Sequence, residues 1–394
     1  MTSVDFRSTA SAPTESFREH TTARVGGPAG EWIRADTQDQ ALAVLAEHPL
    51  PAQEKRALGK DSLIVLGGGS NLLVTEDGFE GTVLQLSFTG IESQTLGADQ
   101  VLLTVAAGHN WDDLVRFSVA RGLTGLEALS GIPGSTGAVP VQNVGAYGAD
   151  VAQTIKDINV WDRSSSQLRT FSNEELNFGY RDSVLKQTTV HGSPRYVVLQ
   201  VRFLLQNRAD GLSAPVRYGE LARTLGLDAQ SADHERRAPL SQVRKTVLRL
   251  RAGKGMVLSE GDYDTWSTGS FFTNPIVARE VAAALPADAP RFSAGTDDSG
   301  NALVKLSAAW LIDHAGCGKG FGLPEGPEAG RGNDGAGIAG GRASLSTKHT
   351  LAVTNRGHAS TDDLLAVARA ARDQVNATFG IVLHEEPVLI GHTL

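Results

Sequence analysis

The chain has 394 residues, of which 41% are hydrophobic and 20% are charged, a composition typical of a globular protein with a sizeable core. This length exceeds what one hydrophobic core usually supports and predicts two or three domains. The formal net charge of −8 argues against a nucleic-acid-binding surface, so an anionic ligand would require a local basic pocket.

Residues 1–16 are polar and lack a periodic pattern, which predicts a mobile N-terminus. This segment lacks the apolar core of a signal peptide, and no run in the chain approaches the roughly 18 apolar residues of a membrane span. Cys317 is the single cysteine, which excludes an internal disulfide framework. Together these features predict a cytoplasmic protein without a membrane span.

Helices, strands and glycine-rich loops alternate in the first half of the chain. Thr37 and Gln40 have the spacing of a capping box, which predicts a helix that ends near His48. Alternating and apolar runs predict the other elements. These are strands at 62–66, 72–74, 82–88, 101–106, 158–162, 168–171 and 196–204, and a helix at 111–120 that ends at Gly122.

Four helices are predicted in the second half of the chain. Polar, irregular sequence after residue 204 indicates a domain boundary near residue 207. Apolar residues at helical intervals then predict helices at 241–254, 278–285, 306–314 and 361–378. The glycine-rich segment 320–341 is predicted to be a flexible loop or insertion without chemistry of its own.

Two glycine-dense loops lie at 67–71 and 131–148. Glycine lets backbone N–H groups approach a ligand closely, and successive N–H groups turned to one side bind phosphate oxygens. Neither loop has the glycine-lysine-serine/threonine of a Walker motif, and the loop at 67–71 lacks the G-x-G-x-x-G pattern that opens a helix. The loops are therefore interpreted either as an anion-binding cradle or as tight turns.

Three further segments carry side chains suited to catalysis. Residues 180–182 place a phenol, a guanidinium and a carboxylate together, either as functional groups or with Arg181 simply paired with Asp182 on the surface. Ser270 lies between a glycine and two phenylalanines, where it would donate a proton in a dry pocket or cap a core strand. Glu385 and Glu386 precede a short apolar strand, so at most one of them faces a pocket and both could be solvated. The ten histidines lack metal-ligand spacing, so no metal site is predicted.

Six motifs follow one another along the chain. They are HTTARVGGPA at 20–29, VLGGGSNLLV at 65–74, GIPGSTGAVPVQNVGAYG at 131–148, FGYRDSVLK at 178–186, GSFFTNP at 269–275 and AAWLID at 308–313. Taken together they resemble the UDP-N-acetylenolpyruvoylglucosamine reductase family, the flavoenzymes that complete UDP-N-acetylmuramate in bacterial peptidoglycan synthesis. The resemblance runs from about Phe17 to Gly391.

The resemblance implies an α+β protein with FAD held non-covalently by the two glycine loops. It implies an FAD-binding fold of the vanillyl-alcohol-oxidase (PCMH) type at 17–207, with two subdomains that divide near residue 85. A C-terminal α+β substrate-binding domain would follow at 208–394. The implied cofactor-binding residues are Gly67, Gly68, Gly69, Ser70, Asn71, Gly131, Pro133, Gly134, Ser135, Gly137, Asn143, Gly145, Ala146 and Tyr147.

The resemblance also implies the reaction and its partners. NADPH would reduce the flavin, and hydride would then pass to the vinyl carbon of an enolpyruvyl ether on a UDP-sugar. Arg181 matches the arginine that stabilises the developing enolate, Ser270 the serine that protonates it, and Glu386 the glutamate that helps to polarise the intermediate. The implied substrate-binding residues are Tyr180, Tyr218, Lys254 and Asn274, and no obligate protein partner is implied.

Two other functions stay open at the level of sequence. An oxidase of the same fold would pass electrons to oxygen, and such enzymes often tether the flavin through His or Cys, for which His20 and Cys317 are the candidates. A non-catalytic nucleotide-sugar-binding protein would keep the loops and lose the chemistry. The joint presence of Arg181, Ser270 and Glu386 argues against this second alternative.

Overall fold

The computed structural model describes residues 15–51, 59–228, 230–232, 234–297, 299–324 and 337–394. Most of the predicted mobile N-terminus and the middle of the predicted glycine-rich insertion therefore lie outside the described residues. At the start of the described chain, the Ser16 hydroxyl donates to the Gly26 carbonyl oxygen at 2.7 Å. No helix within the described residues is long and apolar enough to cross a membrane.

The first unit is a small parallel sheet with a capped helix beside it. The Thr37 hydroxyl accepts from the Gln40 N–H, and the Gln40 side chain accepts from the Thr37 N–H, so the predicted capping box is confirmed. The sheet has the strand order β1-β4-β2. The elements are α1 (Phe17–His20), β1 (Ala29–Ala35), α2 (Gln38–Glu47), β2 (Leu63–Leu66), β3 (Leu72–Val74) and β4 (Phe79–Leu86).

The second unit is an antiparallel sheet with the strand order β11-β10-β12-β6-β5. Its core packs Trp111 of the following helix against Phe203 and Leu103 of the central strands. Leu84 and Leu199 belong to a further core cluster that joins the two sheets. The elements are β5 (Ile91–Leu96), β6 (Gln100–Ala106), α3 (Trp111–Ala120), β7 (Leu123–Thr124), β8 (Gly145–Ala146), β9 (Ala149–Asp150), β10 (Ile155–Asp162), β11 (Gln167–Ser172), α4 (Val184–Gln187) and β12 (Tyr196–Asn207).

The remaining chain forms a third unit that returns to the first. Helix α9 buries one apolar face in a core that also contains Ala23, Val25 and Leu73 from the start of the chain. The last strand, β18, pairs in parallel with β3. The elements are α5 (Gly219–Thr224), α6 (Leu240–Gly253), β13 (Ile276–Ala278), α7 (Arg279–Ala283), β14 (Arg291–Thr296), β15 (Ala302–Leu306), α8 (Ala308–His314), β16 (Ala343–Leu345), β17 (Val353–Asn355), α9 (Thr361–Phe379) and β18 (Val388–Ile390).

Two predicted helices differ from the structure at their starts. The helix predicted from residue 306 begins at Ala308, because the Ser307 hydroxyl accepts from the Trp310 N–H and caps it there. The residues before it belong to β15, which pairs with β13 and β14. The helix predicted at 278–285 is the shorter α7, since Ala278 ends β13. Strand β14 escaped prediction because most of its residues are exposed and lack the alternation of a half-buried strand.

Candidate active site

A single large cavity of about 530 Å³ brings the sequence motifs together. Its walls come from both glycine loops, from the loop before α4, from the end of α6 and from the segments that carry Ser270 and Glu386. Arg181, Ser270 and Glu386, the three predicted catalytic residues, all line it. These residues lie far apart in the chain, so the cavity depends on the return of the C-terminal strand to the first unit.

The two glycine loops pack main chain against main chain at one wall of the cavity. A Cβ at Gly68 would lie 2.5 Å from the Gly134 Cα, and a Cβ at Gly67 would overlap the Ser135 hydroxyl. The Ser70 hydroxyl donates to the Pro133 carbonyl oxygen at 3.2 Å and ties the loops together. The two loops therefore form one continuous surface made of backbone.

Twelve of the predicted cofactor-binding residues line the cavity, and two do not. Gly131 instead holds the backbone in place: its N–H donates to Asp112 at 2.6 Å, and its carbonyl oxygen accepts from Arg251 at 3.2 Å. The Asn143 amide donates to the Gly179 carbonyl oxygen at 3.0 Å, and its side-chain oxygen accepts from the Ala152 N–H at 3.1 Å. Both residues therefore support the loop from behind.

This wall fits a dinucleotide such as FAD. The close approach of Gly68 to Gly134 leaves no room for side chains at this contact, so main chain forms this part of the wall, and main-chain N–H groups are what binds phosphate in loops of this kind. The cavity volume lies within the range usual for cofactor and small-molecule sites, roughly 300–1,000 Å³. The residues that would hold the pyrophosphate are those of the loops at 67–71 and 133–135.

Arg181 enters the cavity and forms an ion pair with Glu386. Arg181 Nε lies 3.0 Å from Glu386 Oε1, and Arg181 Nη2 donates to the Gly145 carbonyl oxygen at 2.8 Å. The surface pair with Asp182 is wrong, because the Asp182 carboxylate instead accepts from the Ser183 N–H and the Gln187 side chain. Arg181 has a φ of 56°, in the left-handed region that an L-residue rarely adopts.

Glu386 is a buried carboxylate that meets Arg181 on one side and Gln142 on the other. Gln142 Nε2 lies 3.4 Å from Glu386 Oε1, and only 13% of the Glu386 side chain is exposed. Burial raises the pKa of Glu386, while Arg181 and Lys186 act in the opposite direction. Glu385 does not line the cavity.

Ser270 and Glu386 reach the cavity on neighbouring segments of backbone. The Glu386 N–H donates to the Phe271 carbonyl oxygen at 2.8 Å, and Phe272 and Glu385 form an antiparallel bridge. The Phe271 N–H donates to the Leu351 carbonyl oxygen at 2.7 Å on the other side. Phe271, the residue that follows Ser270, is therefore held by backbone hydrogen bonds to two other segments.

Lys254 and Tyr218 also line the cavity. Lys254 Nζ lies 2.6 Å from Glu220 Oε2 and 5.8 Å from the centre of the Tyr147 ring. The Tyr147 and Tyr218 rings meet edge to face with centroids 5.5 Å apart. Burial raises the pKa of Tyr147 to about 12, so its hydroxyl is neutral at physiological pH.

Tyr180 and Asn274, the other two predicted substrate-binding residues, do not line the cavity. The Tyr180 hydroxyl accepts from the Asn274 N–H at 3.4 Å, and Lys305 Nζ lies 4.7 Å from the centre of the Tyr180 ring. The Asn274 side-chain oxygen accepts from the Ala308 N–H at 2.9 Å. These contacts join the loop before α4 to the C-terminal unit.

Several residues of the cavity wall escaped prediction. Lys186 is the last residue of the motif FGYRDSVLK, and no role was predicted for it. Arg251 lies on α6, one turn before Lys254, and no pattern in the sequence distinguishes His349. Burial lowers the pKa of Arg251 below its ordinary value. The described wall carries four cationic side chains and the single carboxylate of Glu386, so this acidic protein does have a local basic pocket.

The two residues considered for covalent flavin attachment lie outside the described cavity wall. Cys317 is fully buried in the C-terminal core. His20 Nε2 lies 3.2 Å from Glu15, and its ring lies 4.4 Å from the Trp32 ring, measured between centroids.

Comparison with known proteins identifies both halves of the chain. Residues 56–170 match the family model described as an FAD binding domain, and residues 261–390 match the C-terminal domain of UDP-N-acetylenolpyruvoylglucosamine reductase. A reductase of that name from Saccharopolyspora erythraea is 48% identical, over 94% of this chain and 93% of its own. The Streptomyces coelicolor reductase is 46% identical, over 95% of this chain and 88% of its own.

A solved structure shows the same fold at lower sequence identity. The reductase from Thermus caldophilus superposes with a TM-score of 0.59 at 23% identity, and the match covers 95% of this chain and 97% of the other. The predicted α+β architecture with an FAD-binding fold of the vanillyl-alcohol-oxidase type is confirmed.

Proposed function

The chain belongs to the UDP-N-acetylenolpyruvoylglucosamine reductase family of FAD-dependent oxidoreductases, and we propose that it makes UDP-N-acetylmuramate from UDP-N-acetylenolpyruvoylglucosamine with NADPH as the hydride donor. The reaction would serve peptidoglycan precursor synthesis in the cytoplasm. The observation that carries this proposal is the convergence of Arg181, Ser270 and Glu386 on the cavity that the glycine loops enclose.

The glycine loops would hold the cofactor without a covalent bond. The chemistry that FAD would supply there is hydride transfer, from NADPH to the vinyl carbon of the substrate. The loops would bind its pyrophosphate through backbone N–H groups at 67–71 and 133–135, since the N–H groups of Thr136 and Gly137 donate to the carbonyl oxygens of His109 and Ala107. The placement of Cys317 and His20 outside the cavity wall supports a non-covalent cofactor and disfavours a flavin-tethered oxidase.

Arg181 would stabilise the negative charge that develops on the substrate. Hydride addition to the vinyl carbon places charge on the neighbouring carbon and its carboxylate. The guanidinium is already oriented by Gly145 and Glu386, so it needs little reorganisation when that charge appears. Removal of one such preorganised donor typically costs on the order of 3 kcal/mol of transition-state stabilisation.

Ser270 would then donate the proton that completes the reduction. A hydroxyl is a weak acid, so it serves only where the acceptor is strongly basic and the hydroxyl is well placed. Its place in the cavity wall, next to the hydrogen-bonded Phe271, supports this role. Glu386 would help to polarise the intermediate and would keep Arg181 in position through their 3.0 Å contact.

The C-terminal unit would bind the nucleotide part of the substrate. Lys254 and Tyr218 line the cavity, and a diphosphate is the anionic group that suits this lysine. Glu220 now pairs with Lys254, so substrate phosphate would compete with that carboxylate. Tyr180 and Asn274 would act indirectly, through the contact between the loop before α4 and the C-terminal unit.

Separate measurement of the two half-reactions tests the proposal. We expect the purified yellow protein to consume NADPH only when UDP-N-acetylenolpyruvoylglucosamine is present. In Ser270→Ala, flavin reduction by NADPH should stay near the wild-type rate, while reoxidation by the substrate slows by about 100-fold or more. Ser293→Ala, an exposed serine on β14, is the matched control and should change neither rate.

Three outcomes would contradict the proposal. Equal slowing of both half-reactions in Ser270→Ala would refute the role as proton donor. NADPH consumption under air without substrate would favour the oxidase, and acid precipitation that leaves the yellow colour with the protein would show a covalent flavin. Substrate binding without turnover would favour the non-catalytic binding protein.

A further inference from the structure

Lys186 lies in the wall of the cavity, five residues after Arg181, and the proposed function gives it no role. Its ammonium donates to the carbonyl oxygen of Arg181 at 3.0 Å. The ammonium therefore binds the backbone of the same residue whose side chain enters the cavity. Lys186 also acts electrostatically on Glu386, the carboxylate that pairs with Arg181.

The backbone of Arg181 needs such support. With a φ of 56°, Arg181 is in the left-handed region, which an L-residue adopts only when its surroundings enforce it. The hydrogen bond from Lys186 fixes the direction of the Arg181 carbonyl group. It therefore opposes relaxation to an ordinary conformation, which would swing the guanidinium away from Glu386.

Lys186 is itself held on a rigid element. Ser183, which is fully buried, caps α4: its hydroxyl oxygen accepts from the N–H groups of Leu185 and Lys186 at 3.2 and 3.4 Å. The same hydroxyl donates to the Val141 carbonyl oxygen in the second glycine loop at 2.6 Å. Helix α4 is thus anchored to the cofactor cradle, and the position of the Lys186 ammonium follows from it.

The charged groups that act on Glu386 are Arg181 and Lys186, which come from the loop before α4 and from α4 itself. The other polar neighbours are neutral amides: Gln142 contacts its carboxylate, and Asn71 donates to its backbone carbonyl oxygen. Lys186 is therefore one of two positive charges that stabilise the ionised form of the buried Glu386 carboxylate.

We propose that Lys186 is a positioning residue of the reductase reaction, which locks the backbone of Arg181 and supplies the second positive charge that acts on Glu386. This inference rests on the proposed function. Its consequence is twofold. Without the ammonium, Arg181 loses its fixed orientation. The protonated form of Glu386 also persists to higher pH, because Arg181 alone then counteracts the rise that burial causes in the pKa of Glu386.

The test uses the FAD-loaded Lys186→Met protein and the same two half-reactions. Flavin reduction by NADPH should stay within about twofold of wild type, while reoxidation by the enolpyruvyl substrate should slow on the order of tenfold to a hundredfold. The limb of the pH–rate profile that belongs to Glu386 is the one that Glu386→Gln abolishes. That limb should move to higher pH by about half a unit or more.

Two variants complete the design. Lys186→Arg keeps both the charge and a donor for the Arg181 carbonyl, so it should restore the wild-type pH limb and most of the reoxidation rate. Lys156→Met removes an exposed lysine from β10 and should match wild type in both measurements. If Lys186→Met does not retain FAD, Lys186→Gln removes the charge and keeps an N–H donor, so it still tests the shift of the pH limb.

An unmoved pH limb with an unchanged reoxidation rate would overturn the proposal. Equal slowing of both half-reactions, without rescue by Lys186→Arg, would also overturn it, because it would indicate a structural role alone. If the wild-type protein does not reduce the substrate at all, the proposed function itself fails. The wild-type protein is assayed before any Lys186 variant, so failure of the proposed function is distinguishable from failure of the proposed role of Lys186.

Discussion

Replacement of Gly68 by alanine tests whether the two glycine loops form the cofactor cradle. The new Cβ would lie 2.5 Å from the Gly134 Cα, about 0.9 Å inside the 3.4 Å at which ordinary van der Waals contact begins. Its other near neighbours are also backbone atoms of Gly134. No side-chain rotation relieves this overlap, so the two loops have to separate.

The expected magnitude follows from the cost of overpacking. One extra methyl group forced into a well-packed contact costs about 1–3 kcal/mol. Without a cofactor the loops can move apart and relieve the overlap, whereas FAD binding requires them together. The cost should therefore appear in the dissociation constant for FAD, as a roughly 5- to 150-fold weakening.

Titration of the apoprotein with FAD, followed by flavin fluorescence, measures this constant directly. Gly261→Ala is the matched control, because its Cβ would meet nothing within 4 Å and its φ is not in the left-handed region. The control should bind FAD as wild type does. Wild-type affinity in Gly68→Ala would refute the reasoning, since it would show that the loops need not meet around the cofactor.

Two further predictions concern stability. Burial, together with nearby lysines, lowers the pKa of His349 to about 4, from an ordinary value of 6.5. Between these two pH values the unfolded chain binds a proton at His349 that the folded protein does not bind. The free energy of unfolding should therefore decline by up to about 3 kcal/mol as the pH falls from 6.5 toward 4. His349→Gln should flatten the profile of Tm against pH in that window, and an unchanged profile would exclude His349 as its cause. Asp112→Asn breaks the paired hydrogen bonds to Arg244 at 2.6 and 2.7 Å and should lower the free energy of unfolding by about 1–3 kcal/mol in urea titrations. Asp113→Asn, which breaks an exposed pair, should cost under about 1 kcal/mol, and an equal loss in both variants would contradict this account.

Local signals in the sequence predicted the elements whose ends are chemically marked. The capping box of Thr37 places the start of α2, and Ser360 caps the long helix α9 in the same way. The glycine loops were also recognisable, because their composition excludes a regular helix or strand. In each case the information lies within a few residues of the feature that it specifies.

Long-range pairing was outside the reach of such signals. The sequence offered Asp182 as the nearest partner of Arg181, but the structure pairs Arg181 with Glu386, more than 200 residues away. Composition likewise did not separate Gly131 and Asn143 from the neighbours that line the cavity. Their polar groups are consumed by Asp112 and by backbone behind the loop, which only the folded arrangement reveals.

Asn71 joins the two glycine loops to the segment that carries Glu386. Its amide donates to the Gln142 side chain at 3.1 Å and to the Glu386 carbonyl oxygen at 3.2 Å. Its own carbonyl oxygen accepts from the Val388 N–H at 3.0 Å, at the point where β18 joins β3. A single residue of the first glycine loop thus makes hydrogen bonds both to the second loop and to the C-terminal strand. The predicted division near residue 207 is therefore crossed by the contacts that build the site, and a chain cut there would lose Glu386 and the strand that holds the first loop in place.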